Sequence, residues 1–323
     1  MESLFIQEIK NESQPLPLAL LVSATLIESV KLNTPKLILK FADQDNDITD
    51  TFGVACNVEL KVTFGDVSVE DGDSYIDQFV VVSPPKKSGD ILLVEALQKD
   101  VYELKMYLNQ PLFFVDSSPK QIFSKLVPSK KVNIVGVSGR GTFHINNGTT
   151  PSQMLAQMAK ELAAIVFYCR GEFFVISYDQ LKRQAKSLTY EYNNPRAENI
   201  ISALATPFSN NLIERKIVKD YQLWDENLGV VAGGSDARKH SLVNVGQDRL
   251  KNLNTMLLPV MTGQCVGTTS IKPAMTLGFL LHRFNNERLI NESLPDEQII
   301  MELTHHQQGF KYICQMTTGT VNE

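Results

Sequence analysis

The chain has 323 residues, 43% hydrophobic and 21% charged, enough for two domains or one elaborated domain with a full core. Its formal net charge of -5 excludes a general nucleic-acid binder, and the scattered Lys and Arg give no patch for an anionic membrane surface; the longest basic cluster is Pro84-Pro85-Lys86-Lys87. Cys56, Cys169, Cys265 and Cys314 lie far apart with no Cys-x-x-Cys spacing, so they read as reduced core or strand residues, not a disulfide framework or a metal knuckle.

Strand signals dominate the first hundred residues. The apolar run 16–22 follows Glu2, Glu8 and Glu12 and is too short to span a bilayer, so no targeting segment is read and folding in the cytosol is expected. Residues 23–31 and 37–41 are β-prone and are separated by the turn Asn33-Thr34-Pro35. Val58, Leu60, Val62 and Phe64 alternate with Glu59, Lys61 and Thr63, the pattern of a half-buried strand. Runs 76–82 and 91–97 flank a Pro84–Gly89 turn, and five or six such strands predict a small antiparallel barrel or sandwich.

The middle of the chain changes character. Ser118-Pro119-Lys120-Gln121 and Thr150-Pro151-Ser152-Gln153 are each a helix start, with a hydroxyl N-cap, Pro at the first position and Gln reaching back. Met154, Leu155, Met158, Leu162 and Ile165 then form an apolar helical stripe. Arg170-Gly171 predicts a tight turn between the apolar strands on either side. Farther on, 200–205 and 212–221 read as strands. Gly233-Gly234-Ser235-Asp236 reads as an exposed loop, 247–258 as a helix stopped by Pro259, and the last sixty residues as short strands.

The end of the chain echoes its beginning at an offset of 220 with no gaps: Gly53 faces Pro273, Phe64 faces Phe284, Gln78 faces Gln298 and Gly89 faces Gly309. Residue identity is near chance, so the duplication rests on the order and spacing of elements. Three copies of a chain with two barrels would present six similar barrels around an axis, and open edges would pair with the next barrel.

Three stretches carry a resemblance to the hub proteins of contractile injection machines: the phage baseplate hub, the phage late control protein D and the amino-terminal part of VgrG spikes. Residues 80–126, with the strand and exit Leu93-Val94-Glu95-Ala96-Leu97-Gln98 and the Ser-Pro-x-Gln helix, resemble the end of that family's first barrel. Residues 151–176 are similar to its helix leading into aromatic strands about an Arg-Gly turn. Residues 248–316, ending in a strand with His305-His306, a Gly309 turn and a last strand, are similar to its second barrel. The resemblance implies a mainly β fold with α/β insertions and two similar small antiparallel tube-type barrels per chain, three chains closing a pseudo-hexameric ring. The implied division is 1–108 for the first barrel and 109–185 for an insertion with a helix-plus-hairpin unit. The second, discontinuous barrel takes 186–222 and 259–321, and 223–258 is a polar loop and helix excursion. No β-helical extension follows in this sequence, so a separate spike trimer is the expected partner, and the chain is compact for the family.

Candidate chemistry is thin. Asp43-x-Asp45-x-Asp47 starts like a calcium loop, but Ile48 and Val54 stand where Gly and a bidentate Glu belong, so it reads as an acidic solvated turn. Gly136-Val137-Ser138-Gly139-Arg140-Gly141 lacks the Lys-Ser/Thr of a phosphate loop and reads as a flexible loop. His305 and His306 would point to opposite faces of a strand and so cannot readily share one ion; a turn before Gly309 is their expected role. Trp224, in a polar loop, reads as locally packed, with a binding-surface anchor as the alternative. No Gly-x-Ser-x-Gly is present. No catalytic, cofactor or metal residue is therefore assigned, and no enzyme activity is expected. The expected function is a structural hub at the baseplate of a contractile phage tail, assembled in the host cytoplasm. Its partners would be itself as a homotrimer, the spike, tail-tube or tube-initiator proteins, and tape-measure and wedge proteins, with DNA only in transit and no membrane insertion. The alternatives are a tail-associated peptidoglycan hydrolase and a single-barrel tube or distal-tail adaptor.

Overall fold

A computed structural model describes all residues except 1–4, 13, 66–73, 207–219, 226, 234–239, 243–246, 284–285, 291–292 and 323. The protein is mainly β. The first hundred residues supply β1 (Ile6–Asn11), β2 (Gln14–Pro15), β3 (Leu21–Ser29), β4 (Lys36–Ala42), β5 (Glu59–Phe64), β6 (Tyr75–Val81), β7 (Lys86–Ser88) and β8 (Ile91–Gln98). Helices α1 (Asp47–Asp50) and α2 (Lys99–Glu103) are short. The middle holds β9 (Leu112–Ser117), α3 (Pro119–Leu126), β10 (Lys131–Val135), β11 (Gly141–Ile145), α4 (Pro151–Glu161), β12 (Ala164–Cys169), β13 (Glu172–Ser177) and α5 (Tyr178–Arg183). The remainder holds β14 (Leu188–Tyr192), β15 (Ile200–Ala205), β16 (Asp220–Asp225), β17 (Gly229–Gly233), β18 (His240–Leu242), β19 (Leu257–Val266), β20 (Thr276–Arg283), β21 (Asn286–Ile290), β22 (Glu297–Gln308) and β23 (Lys311–Val321).

Six of the later strands close a barrel in the order β14-β20-β22-β23-β19-β15, the last pairing back to β14. The amino-terminal strands run in the order β1-β5-β6-β8-β4-β3, and among the described residues no ladder joins β3 to β1. The two orders match strand for strand, with one reversal. β1 is antiparallel to β5, whereas β14 is parallel to both β20 and β15, so the closed barrel is not wholly antiparallel as expected. The chain reaches β14 directly from α5 and runs it in the opposite sense to β1. The echo at offset 220 is not gapless. Leu60 pairs with Phe79, but Ile299 pairs with Thr276, four residues before Leu280. Phe284, the counterpart of Phe64, lies outside the described residues.

Local expectations hold where backbone chemistry is specific. Both predicted capping boxes form, Ser118 with Gln121 and Thr150 with Gln153, each with Pro at the helix start. Ser118 Oγ accepts from the Gln121 N–H at 3.4 Å, and the Gln121 side chain accepts from the Ser118 N–H at 2.9 Å. Ser118→Ala should lower stability by about 1 kcal/mol in chemical denaturation, with the slope unchanged. Arg170 (φ 49°) and Gly171 (φ 91°) both take the left-handed region, the type I′ geometry that matches the twist of a two-residue hairpin.

β12 is buried at every position because it is sandwiched. Ala164, Val166 and Tyr168 enter the core under α3 and α4, while Ile165, Phe167 and Cys169 enter a second cluster with Val30, Leu257 and Ile299. The helix-plus-hairpin unit is thereby fastened to the strands on either side.

Three expectations fail after residue 220. The polar stretch read as loop carries a three-stranded sheet, β17-β16-β18, with 234–239 outside the described residues. The predicted strand 212–221 is described only from Asp220. The helix expected over 247–258 is a 3-10 segment, Gln247–Asn254, and the chain is already extended at Leu257. Its apolar residues divide between two structures. Leu250 and Leu253 pack on Tyr221 and Leu223, whereas Leu257 begins β19. The closing strands are long, ten to twelve residues, because β19, β22 and β23 run the full barrel wall.

Candidate functional site: a buried polar junction

β22 belongs to both halves of the chain. Its first residues pair with β20, Thr276 opposite Ile299, and close the barrel. From Glu302 onward it pairs with β3, Glu302 opposite Ser29 through Gln308 opposite Ser23. The register shifts between Ile300 and Glu302, a β-bulge at the point where the strand exchanges partners. Beyond it, alternation turns Leu303, His305 and Gln307 inward and leaves His306 at the half-buried face. Opposite His305 stands Leu26, and two residues along the same face of β3 stands Glu28.

Glu28 is the centre of a charged network without solvent. Its carboxylate accepts from His305 Nε2 at 3.2 Å and from Arg170 Nη2 at 3.2 Å and Nε at 3.4 Å. Arg170, from the β12–β13 turn, also donates to the carbonyls of Thr269 and of Ile271, the latter at 2.9 Å, and lies over the Tyr75 ring at 4.9 Å. One side chain thus ties β3, β6 and the loop between β19 and β20 to the hairpin. Burial alone would raise the Glu28 pKa, but the Arg170 charge and the His305 bond outweigh it and hold it down at about 2. Phe5 stacks on His305 and on Tyr312, each at 4.8 Å, and seals the group from the β1 side.

On its other edge His305 Nδ1 meets Tyr312 Oη at 2.7 Å and Cys314 Sγ at 3.3 Å. Because the Glu28 carboxylate requires a proton on Nε2, neutral His305 has its lone pair on Nδ1, facing the thiol and the phenol. Desolvation lowers the His305 pKa, but the Cys314 and Glu28 contacts reverse this and lift it to about 9. Burial pushes the Cys314 thiol up, whereas a hydrogen bond from Cys265 and the His305 charge pull it well below its usual value. Cys–His–acid is the order of a thiol nucleophile, its base and the orienting carboxylate. All three are enclosed, Cys314 and His305 0% and Glu28 1% exposed, so no substrate reaches the sulfur while the barrel is closed.

A second buried acid secures the hairpin from the other side. Asp77 on β6 accepts from Tyr168 Oη at 2.9 Å, Gln98 Nε2 at 3.1 Å and the Gln78 N–H at 2.9 Å. Desolvation dominates these bonds and raises its pKa to about 6.

The residues singled out in the sequence fare differently. At the acidic turn, Asp43 is buried and accepts from the Ile48 N–H at 3.2 Å, while Lys87 Nζ reaches the Gln44 carbonyl at 2.8 Å and Asn46 Oδ1 at 2.5 Å. An ammonium thus sits within the turn, between the acidic positions. The glycine loop 136–141 links β10 to β11 and is fastened, not loose, since the Arg249 guanidinium donates to the Arg140 carbonyl and approaches Glu161. His305 and His306 sit within β22 instead of a turn, and His306 Nδ1 meets Thr25 Oγ1 at 2.8 Å. Trp224 is 70% exposed on β16 opposite Val230, the surface position and not the packed one. Among the described residues no group of three or more His, Cys, Asp or Glu is placed to hold a metal ion, and no helix is long and apolar enough to cross a membrane. Glu28 and Asp77 fall in no motif of the sequence, and Arg170 is marked there only as a turn residue. The available signal was a lone carboxylate inside an apolar strand, Leu26-Ile27-Glu28, where an unpaired charge cannot stay.

No family model and no curated protein matches the chain. Solved structures do. The 43 kDa tail protein of prophage MuSo2 from Shewanella oneidensis superposes with a TM-score of 0.62 at 11% identity, over 98% of this chain and 97% of that one. A tail protein from Neisseria meningitidis MC58 gives 0.64 at 10% identity, over 98% and 96%. The Escherichia coli c3393 protein, a type VI secretion component described as structurally similar to phage T4 tail proteins gp27 and gp5, gives 0.52 at 11% identity, over 94% and 74%. At such identities the likeness is one of fold, and it extends over nearly the whole chain.

Proposed function

We propose that this chain is a structural, non-enzymatic hub subunit of a contractile phage tail, located at the baseplate of the virion. Three copies form a ring between a separate spike trimer and the sixfold tail tube, with tape-measure protein and DNA passing through the centre. The carrying observation is the repeated strand order, β1-β5-β6-β8-β4-β3 and then β14-β20-β22-β23-β19-β15, within one polypeptide. A chain with two equivalent six-stranded modules converts threefold assembly into sixfold presentation. In this reading 1–108 is the first module, 109–185 the α/β insertion, 186–222 with 259–321 the second module, and 223–258 an excursion. The full-length similarity to tail proteins supports it. So does the enclosure of the Cys314–His305–Glu28 group, which makes the most enzyme-like constellation part of the core.

Light scattering on the purified chain should give a species of three 36.1 kDa subunits, and averaged electron micrographs of it should have six lobes. A stable hexamer would favour the one-module tube or distal-tail adaptor. Clearing of peptidoglycan in a zymogram would favour the hydrolase.

A further inference from the structure

We propose that Cys265 and Cys314 form a latent redox site, a cross-strand thiol pair in the barrel wall that a hydroperoxide converts to a disulfide with His305 as the base. The two residues are direct register partners in the antiparallel β19–β23 ladder, and both side chains are buried in the same core cluster. Residues directly opposite on antiparallel strands have Cα atoms roughly 4.5–5.5 Å apart, within the span a disulfide bridges. No backbone rearrangement is therefore needed to bring the sulfurs together.

The surroundings distinguish the two thiols. Cys314 Sγ lies 3.3 Å from His305 Nδ1, the nitrogen left to accept a proton once Glu28 holds Nε2, and the Thr268 N–H points at the same sulfur from 3.4 Å. Cys314 is thus the attacking sulfur. Cys265 has no such base and is the resolving thiol. It stands one residue from the end of β19, beside Val266–Ile313, the last rung of the ladder and the one that frays first.

The chemistry balances with hydrogen peroxide as the oxidant. With the Cys314 proton held on His305, the thiolate attacks one peroxide oxygen. The S–O bond forms as the O–O bond breaks, and the departing hydroxide takes up that proton as water. Cys265 then attacks the sulfenic sulfur, forming the S–S bond and releasing the sulfenic oxygen, with the Cys265 proton, as a second water. Two thiols lose two electrons, and one peroxide becomes two waters.

The experiment uses the full chain, limiting peroxide and a non-reducing digest read by mass spectrometry, with half-buried Cys56 as the internal reporter of general oxidation. The expected product joins the Cys265 and Cys314 peptides with loss of two hydrogens, is reversed by dithiothreitol, and unfolds several degrees higher than the reduced protein. His305→Gln should slow the cross-link by about tenfold or more, and Cys265→Ser should leave a dimedone-reactive Cys314. Should His305→Gln fail to fold, the wild-type product alone decides. Oxidised Cys56 with no Cys265–Cys314 link overturns the proposal, as does a link from Cys314 to Cys169 or Cys56. So does a link whose rate is the same with and without His305.

Discussion

Arg170→Met lowers the free energy of unfolding by about 3–5 kcal/mol, a large part of the stability of an ordinary domain. The reason is what the substitution leaves behind. Without the guanidinium the Glu28 carboxylate keeps only His305 and the weak Cys169 thiol donor, in a site 1% exposed, and the Thr269 and Ile271 carbonyls lose their donor. An ion pair with both members buried adds little beyond a packed apolar pair, but its disruption from one side is costly because the surviving charge has no water. Denaturant unfolding of Arg170→Met, Glu28→Gln and the double variant measures this. The double variant should be less destabilised than the sum of the single ones, since it removes the orphan charge. Lys131→Ala, which breaks the exposed pair with Glu172, is the matched control and should change stability by under about 0.5 kcal/mol. If Arg170→Met behaves like Lys131→Ala, the junction does not hold the halves together.

What could be read from the sequence was what short-range chemistry dictates. Ser118-Pro119 and Thr150-Pro151 define their helices within four residues, because cap, Pro and Gln each satisfy a group at the helix start. Arg170-Gly171 specifies its turn because both residues need φ above zero. The strands around 60, 78 and 94 announce themselves by alternation. The repeated element order is legible too, although its constant spacing is not. A four-residue change of register at β20 shifts pairing without disturbing alternation, so register escapes a comparison by offset. The region after 220 was misread because short strands with Gly and Asp look like loops until a partner strand is known. The junction was illegible for the same reason. Arg170 and Glu28 are 142 residues apart, and nothing local in either says that the other will neutralise it. His305 was seen, but as half of an adjacent pair, whereas its partners stand at positions 28, 312 and 314.

Stability should peak at about pH 4 and fall on both sides, for reasons that belong to this junction. Glu28 has its pKa depressed from 4.5 to about 2, so its contribution is complete above about pH 4.5 and is lost as the pH falls toward 2. His305 has its pKa raised from 6.5 to about 9, so its contribution is complete below about 6.5 and is lost as the pH rises through 9. Asp77, raised from 3.8 to about 6, acts in the same direction as His305, since its folded state favours the protonated form and loses that advantage as the pH passes 6. Cys314, whose thiol is held well below its usual pKa, runs in the opposite sense and gains stability as the pH rises, so the alkaline limb is shallower than His305 alone would give. The groups facing the imidazole are Glu28, Arg170 beyond it, Tyr312 and Cys314, and of these Arg170 keeps its charge across the whole range. Unfolding midpoints measured from pH 3 to 9.5 should therefore trace an asymmetric dome. In Asp77→Asn the slope near pH 6 should flatten, leaving the decline above 7 in place. In His305→Gln the decline above 7 should disappear while the acid limb, set by Glu28 and Arg170, survives. An alkaline limb that persists unchanged in His305→Gln would mean that the imidazole is neutral in the folded protein, and that the carboxylate is held by arginine alone.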